Sequence, residues 1–242
     1  QGIIAQSVAM AALPTLAAQF AQGKLDDLRN ALAASLRGVL LLALPASLGL
    51  ILLRQPVVTL LLQYGKFDAY STQLIAWALL WYAAGLVGHC IVEVLSRSFY
   101  ALHDTRTPVL VGSIAMGLNV LLSVMLSQWF AHIGWMPHGG LALANSLATG
   151  LEASALLLLM RRRLGGLQGQ RLLDGTLRSG LATLVMGLVL WGWGWLSHGA
   201  PAWLGALGGA ITGGLAYVLA IAALGVQEAR QVWRWLARRF RS

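Results

Sequence analysis

Three long stretches of the chain contain no Asp, Glu, Lys or Arg, at residues 69–92, 107–151 and 179–226. A membrane-spanning helix needs about 20 apolar residues, so each stretch is long enough for one or two such helices. Short polar breaks separate the stretches. Because lipid offers the backbone no hydrogen-bond partner, only helices and closed barrels cross a bilayer. The pattern therefore predicts an all-α fold, a polytopic transmembrane helix bundle.

The composition supports a membrane protein over a soluble one. Only 10% of the 242 residues are charged, and the mean hydropathy is +0.71, whereas soluble domains carry about 25% charged residues. The net charge of +9 would suit a nucleic-acid partner. The cations, however, lie at the ends of apolar runs and form no continuous basic face, so we expect no nucleic acid. The single Cys90 lies inside an apolar run and excludes a disulfide framework.

The apolar runs predict seven helices and a tail. The helices fall at about residues 1–20, 30–53, 71–100, 108–130, 141–160, 178–197 and 202–226. We expect the second helix to be interrupted at Arg54-Gln55-Pro56. The first five helices would form one bundle over residues 1–163, residues 164–177 a cytoplasmic linker, residues 178–226 a final pair, and residues 227–242 a basic amphipathic tail. Because the chain opens without Met inside an apolar segment, we expect a C-terminal fragment of a longer protein.

The cations predict the orientation. When the breaks are assigned alternately to two sides, fifteen of the 17 Lys and Arg residues fall on one side and only Arg54 and Lys66 on the other. Cytoplasmic loops carry the excess of Lys and Arg. The fifteen-cation side, with the C-terminus, is therefore expected to be cytoplasmic. Eight of the tryptophans lie near the opposite helix ends, as in an interfacial belt.

The polar break at residues 97–108 is the most distinctive of these breaks. It carries Arg97, Asp104 and Arg106, and Thr107-Pro108 reads as a helix start because Pro suits the first turn. We predict a structural clamp at the cytoplasmic rim, with contact to an arriving headgroup as the alternative. Glu93 lies one turn before Arg97, which predicts a local ion pair.

Polar side chains at membrane depth are the candidate functional residues, because they are costly there. Asn119 and Ser123 share one helix face, and Asn145, Thr149 and Glu152 share another. One interpretation is interhelical hydrogen bonding, worth about 0.6 kcal/mol per bond. The other is a cation or proton site built from oxygen ligands. No nucleophile triad, phosphate loop or zinc motif is present in the sequence. We therefore expect a transporter and not an enzyme.

Four sequence motifs carry a family resemblance. They are Ala12-Leu13-Pro14, Ala43-Leu44-Pro45, Gln63-Tyr64-Gly65-Lys66-Phe67 and the run from Phe99 to Pro108. In this order and spacing they resemble the C-terminal half of the MurJ (MviN) lipid II flippases, members of the multidrug/oligosaccharidyl-lipid/polysaccharide exporter superfamily. The resemblance is clearest over residues 12–119.

The resemblance implies a C-lobe from a two-lobe, fourteen-helix flippase, followed by two extra C-terminal helices. It implies that lipid II, an undecaprenyl diphosphate-linked disaccharide-pentapeptide, is flipped across the bacterial inner membrane by alternating access for cell-wall synthesis. The partners would be lipid II, membrane lipids and the missing N-terminal lobe, whose arginines face the diphosphate. The last two helices would border a groove for the polyprenyl tail. Another exporter of the superfamily, or a non-transporting scaffold, remains the alternative.

The resemblance also bears on individual residues. Some members hold a sodium ion with an Asn that matches Asn119 and an acid one turn later, where this chain has Ser123. Glu152 is unusual for the family, and one hypothesis is that it compensates for Ser123. We expect no cofactor beyond a sodium ion, or else proton or membrane-potential coupling. The transport candidates are Glu152, Asn145, Thr149, Arg97 and Arg106.

Overall fold

A computed structural model describes residues 10, 14–63, 68–167 and 169–225, without the side chain of Arg171. In this part of the chain all regular structure is helical. The elements are residues 14–21 (α1), Leu25–Leu62 (α2), Ala69–Ala84 (α3), Leu86–Ala101 (α4), Arg106–His132 (α5), Pro137–Arg163 (α6), Gly169–Leu196 (α7) and Gly209–Ala223 (α8). A π-helical segment, Leu204–Gly208, leads directly into α8.

Five of these helices are long and apolar enough to span a membrane, and α3 and α4 meet the same criteria when they are taken together as one bent span. The prediction of an all-α polytopic bundle is confirmed. Most of the predicted first helix, residues 64–67 of the following loop and the tail at 227–242 lie outside the described residues.

Helix α2 continues through the expected interruption. It begins at Leu25, with Asp26 and Asp27 in its first turn, and runs for 38 residues past Pro45, Arg54 and Pro56. The expected break after residue 53 is therefore wrong. Pro56 packs against the π-helical segment, where a methyl group at Gly205 would meet it at 3.2 Å.

The expected linker at residues 164–177 is mostly helix. Helix α7 begins at Gly169, so only residues 164–168 separate it from α6. Its polar residues Gln170, Asp174 and Arg178 recur every four positions, which is the spacing of one helix face. An amphipathic extension of the helix therefore replaces the loop.

The helix expected at residues 71–100 is broken at Gly85. Helices α3 and α4 meet there at 46°, and the Gly85 N–H donates to Tyr82 O at 3.1 Å. Ser146 Oγ of α6 donates to Trp81 O at 2.6 Å. Ser47 Oγ of α2 donates to Ala83 O at 2.7 Å. Both carbonyls at the break thus find partners on neighbouring helices, as a bent helix at membrane depth requires.

The main core lies between α2, α4 and α6. Its fully buried side chains include Leu95, Phe99, Leu156 and Met160. Helices α5 and α6 form a close antiparallel hairpin, because a methyl group at Gly140 would lie 2.5 Å from Leu126 O. The outer face of α5 stays exposed, with Met116 72% accessible. Helices α7 and α8 form a second layer against α2, and Tyr217 Oη donates to Leu41 O at 2.5 Å.

Gly85→Ala should destabilise the bundle, because the added methyl group would collide with the Ser146 side chain at the break. Overpacking of this kind costs about 1–3 kcal/mol. Thermal unfolding of the purified full-length protein measures the loss. Gly117→Ala is the matched control, because its methyl group would meet nothing within 4 Å. Equal melting temperatures for the two variants would contradict this account of the break.

Candidate functional site within the membrane bundle

The break at Gly85 positions α4 closely against α6. A methyl group at Gly88 would lie 3.4 Å from Gly150 Cα, so two glycines face each other at the crossing. Small residues at such a crossing let two backbones approach. The next residue, His89, is thereby brought to the polar stripe of α6.

His89 binds two of the predicted site residues. Its Nε2 lies 3.1 Å from Asn145 Nδ2 and 3.4 Å from Thr149 Oγ1. An amide Nδ2 can only donate, so in this orientation Nε2 accepts and the ring proton lies on Nδ1. Sequence reasoning missed His89. The available signal was a histidine inside the charge-free run at 69–92, since an ionisable residue at membrane depth is a functional candidate.

The second polar stripe lies on α5 and does not join this cluster. Ser123 Oγ donates to Asn119 Oδ1 at 3.4 Å. Among the described residues, no hydrogen bond connects these two side chains with Asn145 or Thr149. The interhelical hydrogen bonding expected for Asn145 and Thr149 is therefore present, but its partner is His89 of α4 and not the polar stripe of α5.

Glu152 faces a different part of α5. A methyl group at Gly112 would meet Glu152 Oε1 at 3.3 Å, so the carboxylate lies against that backbone. Ser123 is eleven residues further along α5, about 16 Å at 1.5 Å per residue. This separation argues against the hypothesis that Glu152 compensates for Ser123. In the described part of the chain, Glu152 forms neither a hydrogen bond nor an ion pair, and it is only partly exposed.

At the expected cytoplasmic rim, Asp104 organises the break between α4 and α5. Its carboxylate accepts from Thr107 N at 3.0 Å and from Thr107 Oγ1 at 2.8 Å, which caps the start of α5. Arg163, at the end of α6, donates to the same carboxylate. These contacts lower the pKa of Asp104. The Thr107 N–H has the largest effect, and the Thr107 hydroxyl and Arg163 add to it. Asp104 therefore ties the α5 start to the α6 end.

Other rim arginines are also engaged. Arg97 forms the predicted ion pair with Glu93, which is confirmed. Arg29 of α2 donates to Leu164 O at 2.6 Å and pairs with Asp26 at 2.8 Å. Arg106 is exposed. The role of Arg163 was missed, although three arginines end α6 directly opposite the polar break.

An apolar groove of about 440 Å³ lies between α2 and α7. Its walls include Leu44, Leu48 and Ile51 from α2 and Leu177 and Leu184 from α7. A smaller polar pocket lies further along the same two helices, beside Arg54. The seam between α2 and α7 thus offers separate apolar and polar spaces.

The fold and these groups define a multi-pass membrane protein with polar clusters inside its helix bundle. Among the residues that the structure describes, no group of three His, Cys, Asp or Glu side chains is arranged to hold a metal ion. A family model described as "Lipid II flippase MurJ" matches residues 1–204. The chain belongs to this family, and the resemblance seen in the sequence is confirmed.

Individual members of this family also match the chain. The chain is 30% identical over 155 residues to a "Probable lipid II flippase MurJ" of Vibrio cholerae, covering 64% of this chain and 28% of the relative. It is 38% identical over 128 residues to a "Lipid II flippase MurJ" of Burkholderia cenocepacia, covering 53% and 24%. A solved structure, "Lipid II flippase MurJ, inward closed conformation", matches with a TM-score of 0.77 at 22% identity, over 92% of this chain and 43% of the other. The chain therefore shares that fold and spans less than a third of these two curated relatives.

Asp104→Ala should destabilise the rim by about 1 kcal/mol, the typical cost of losing a helix cap. The folded-state pKa of Asp104 is lowered. The stability that Asp104 contributes is therefore fully present above the ordinary carboxyl pKa of about 3.9, and it is lost as the pH falls through the lowered value. Thermal unfolding from pH 7 down to pH 3 should therefore show a difference between variant and wild type that shrinks with acid.

Asp27→Ala is the control for this experiment, because Asp27 is exposed in the first turn of α2. An unchanged difference across the pH range, or an equal loss in the control, would contradict the role assigned to Asp104.

Proposed function

We propose that this chain works as the C-terminal part of a flippase that moves lipid II from the cytoplasmic to the periplasmic leaflet of the bacterial inner membrane. The match of the family model to residues 1–204 carries this proposal, and the printed names of the relatives support it. The cation distribution supports a cytoplasmic C-terminus. The role is transport for cell-wall synthesis, without chemical change of the substrate.

In this proposal, flipping occurs by alternating access, in which two repeats rock against each other. Such movement requires each lobe to behave as one body. The bonds of Ser47 and Ser146 to the α3–α4 break, and those of His89 to α6, support a rigid lobe. Asn145 and Thr149 then serve transport by holding α4 in position and not by contacting substrate.

The substrate contacts in this chain would lie at the rim and in the groove. Arg106 is exposed at the expected cytoplasmic end and is available for an arriving headgroup. Arg97 is a weaker candidate, because Glu93 already holds its guanidinium. The apolar groove between α2 and α7 suits the polyprenyl tail. The diphosphate itself would meet the N-terminal lobe.

Coupling has two candidate sites in this chain. Asn119 and Ser123 provide two adjacent side-chain oxygens on α5, a start for a sodium site that needs further ligands. Glu152 provides a carboxylate at membrane depth, where an ionisable group commonly marks a proton or ion pathway. We favour Glu152 as the protonatable group of the transport cycle.

Depletion of the full-length protein in its host tests the function. The expected result is accumulation of lipid-linked precursor in the cytoplasmic leaflet, followed by lysis, in a strain without a redundant flippase. Re-expression of the wild type should restore both the periplasmic precursor and growth. Normal wall synthesis during depletion would contradict the flippase proposal. It would instead support the scaffold or another exported substrate.

Glu152→Gln should slow flipping in the same strain, because the amide keeps the shape of the side chain but cannot exchange a proton. A change of about 1.4 kcal/mol in the transport barrier would give a tenfold slower rate. Precursor flipping in the complemented strain measures the effect. Ser154→Ala is the control on the same helix, since Ser154 Oγ is exposed and donates only to Gly150 O of its own helix. Equal rates for both variants would exclude Glu152 from coupling.

A further inference from the structure

A polar pocket of about 270 Å³ lies at the end of the α2–α7 seam that is remote from the arginine-rich rim. Residues 52–56 of α2 form one wall. Trp193 of α7 and Ser197, the residue that follows this helix, form the second, and Pro201, Ala202 and Gly205 close the third. The pocket thus lies where three segments of the bundle meet.

Arg54 is the charged group on the pocket wall. It is the only charged residue between positions 38 and 65. It lies 17 residues after Arg37, about 25 Å along α2 at 1.5 Å per residue. This is close to the thickness of a bilayer core, about 30 Å. Arg54 is therefore at the membrane boundary opposite to the arginine-rich rim.

The Arg54 guanidinium has N–H donors that form no hydrogen bond within the described residues. It is partly buried, and within the described residues it donates once, from one terminal nitrogen to Ile51 O at 2.6 Å. A guanidinium has five N–H donors. Throughout the described ranges, no carboxylate lies within ion-pair distance of it. A charged side chain in a membrane segment usually has a partner, and here this part of the protein supplies no anion.

The other walls of the pocket also favour an anion. Ser197, whose side chain carries a hydroxyl group, is one of the residues that line the pocket. The chain becomes helical at residue 202, directly at the pocket, and the first N–H groups of a helix favour a negative group. Trp193 Nε1 already donates to Gly205 O at 3.3 Å, which holds the α7 end against the π-helical segment. Arg54, Ser197 and the helix start at residue 202 together favour one kind of ligand, an anion with several acceptor oxygens.

We propose that the Arg54 pocket binds the phosphate group of a membrane lipid at this boundary. Phosphate offers the acceptor oxygens that an arginine binds in pairs, and lipid headgroups place phosphates at this depth. The pocket lies at the opposite end of the bundle from the rim residues considered for lipid II, and its polar lining distinguishes it from the neighbouring apolar groove on the same seam. The inference does not depend on flipping activity, so it can fail or succeed independently of the proposed function.

Native mass spectrometry of the purified full-length protein tests the pocket, with phosphatidylglycerol as the probe and diacylglycerol, which lacks phosphate, as the matched lipid. Wild type should retain one phosphatidylglycerol and no diacylglycerol. Arg54→Gln should reduce occupancy about tenfold, as expected for the loss of a hydrogen-bonded charge. Arg54→Lys should recover part of it. Arg161→Gln, at an exposed arginine of the opposite end, should bind like wild type.

The remaining arms identify the source of the phosphate and control for folding. Arg54-dependent binding of inorganic phosphate without lipid would identify free phosphate as a ligand of the same site, whereas binding of lipid alone would identify the headgroup. Thermal unfolding verifies that each variant is folded, and Arg54→Met offers a second neutral variant if Arg54→Gln is unstable. Equal phosphatidylglycerol retention in wild type and a folded neutral variant would overturn the proposal.

Discussion

Satisfaction of backbone polar groups at membrane depth is the constraint on which this structure depends. The span formed by α3 and α4 bends at Gly85, and two serines from two other helices donate to carbonyls at the bend. Lipid cannot replace these donors, so the bend exists only where α2 and α6 pack against it. The same contacts place Gly88 against Gly150 and thereby set the position of His89. One backbone requirement thus links three helices and the polar cluster between α4 and α6.

The helices themselves were largely predictable, because apolar runs of sufficient length have few alternatives in a membrane. The observed helices differ from the predicted ones where tertiary contacts override the local sequence preference. Pro56 was read as an end, but packing against the π-helical segment keeps α2 helical. Gly85 gave no strong break signal, and the donors that make the break possible are 38 and 61 positions away in sequence, at Ser47 and Ser146. Local patterns carry no information about such partners.

The candidate site was predictable as helix faces but not as contacts. Periodicity correctly placed Asn145, Thr149 and Glu152 on one side of α6. That side is wide enough to contact two helices, so the first two residues meet His89 of α4 while Glu152 lies against Gly112 of α5. The rotation of α6 decides this division, and it follows from glycine contacts at 85, 88 and 140. A sequence reading that pairs stripes by spacing alone cannot determine it.

The two ends of the bundle use arginine differently. At the rim, Arg29, Arg97 and Arg163 each bind a carboxylate, and two of them also bind carbonyl oxygens at helix ends. These bonds hold α2, α4 and α6 in fixed relation, and Arg163 joins them to the start of α5 through Asp104. At the other end, Arg54 has only a carbonyl of its own helix within the described residues. Because an ion pair of this kind consumes donors that a ligand would need, the rim is suited to hold helices together. The opposite end retains donors for an anion that the bundle itself does not provide.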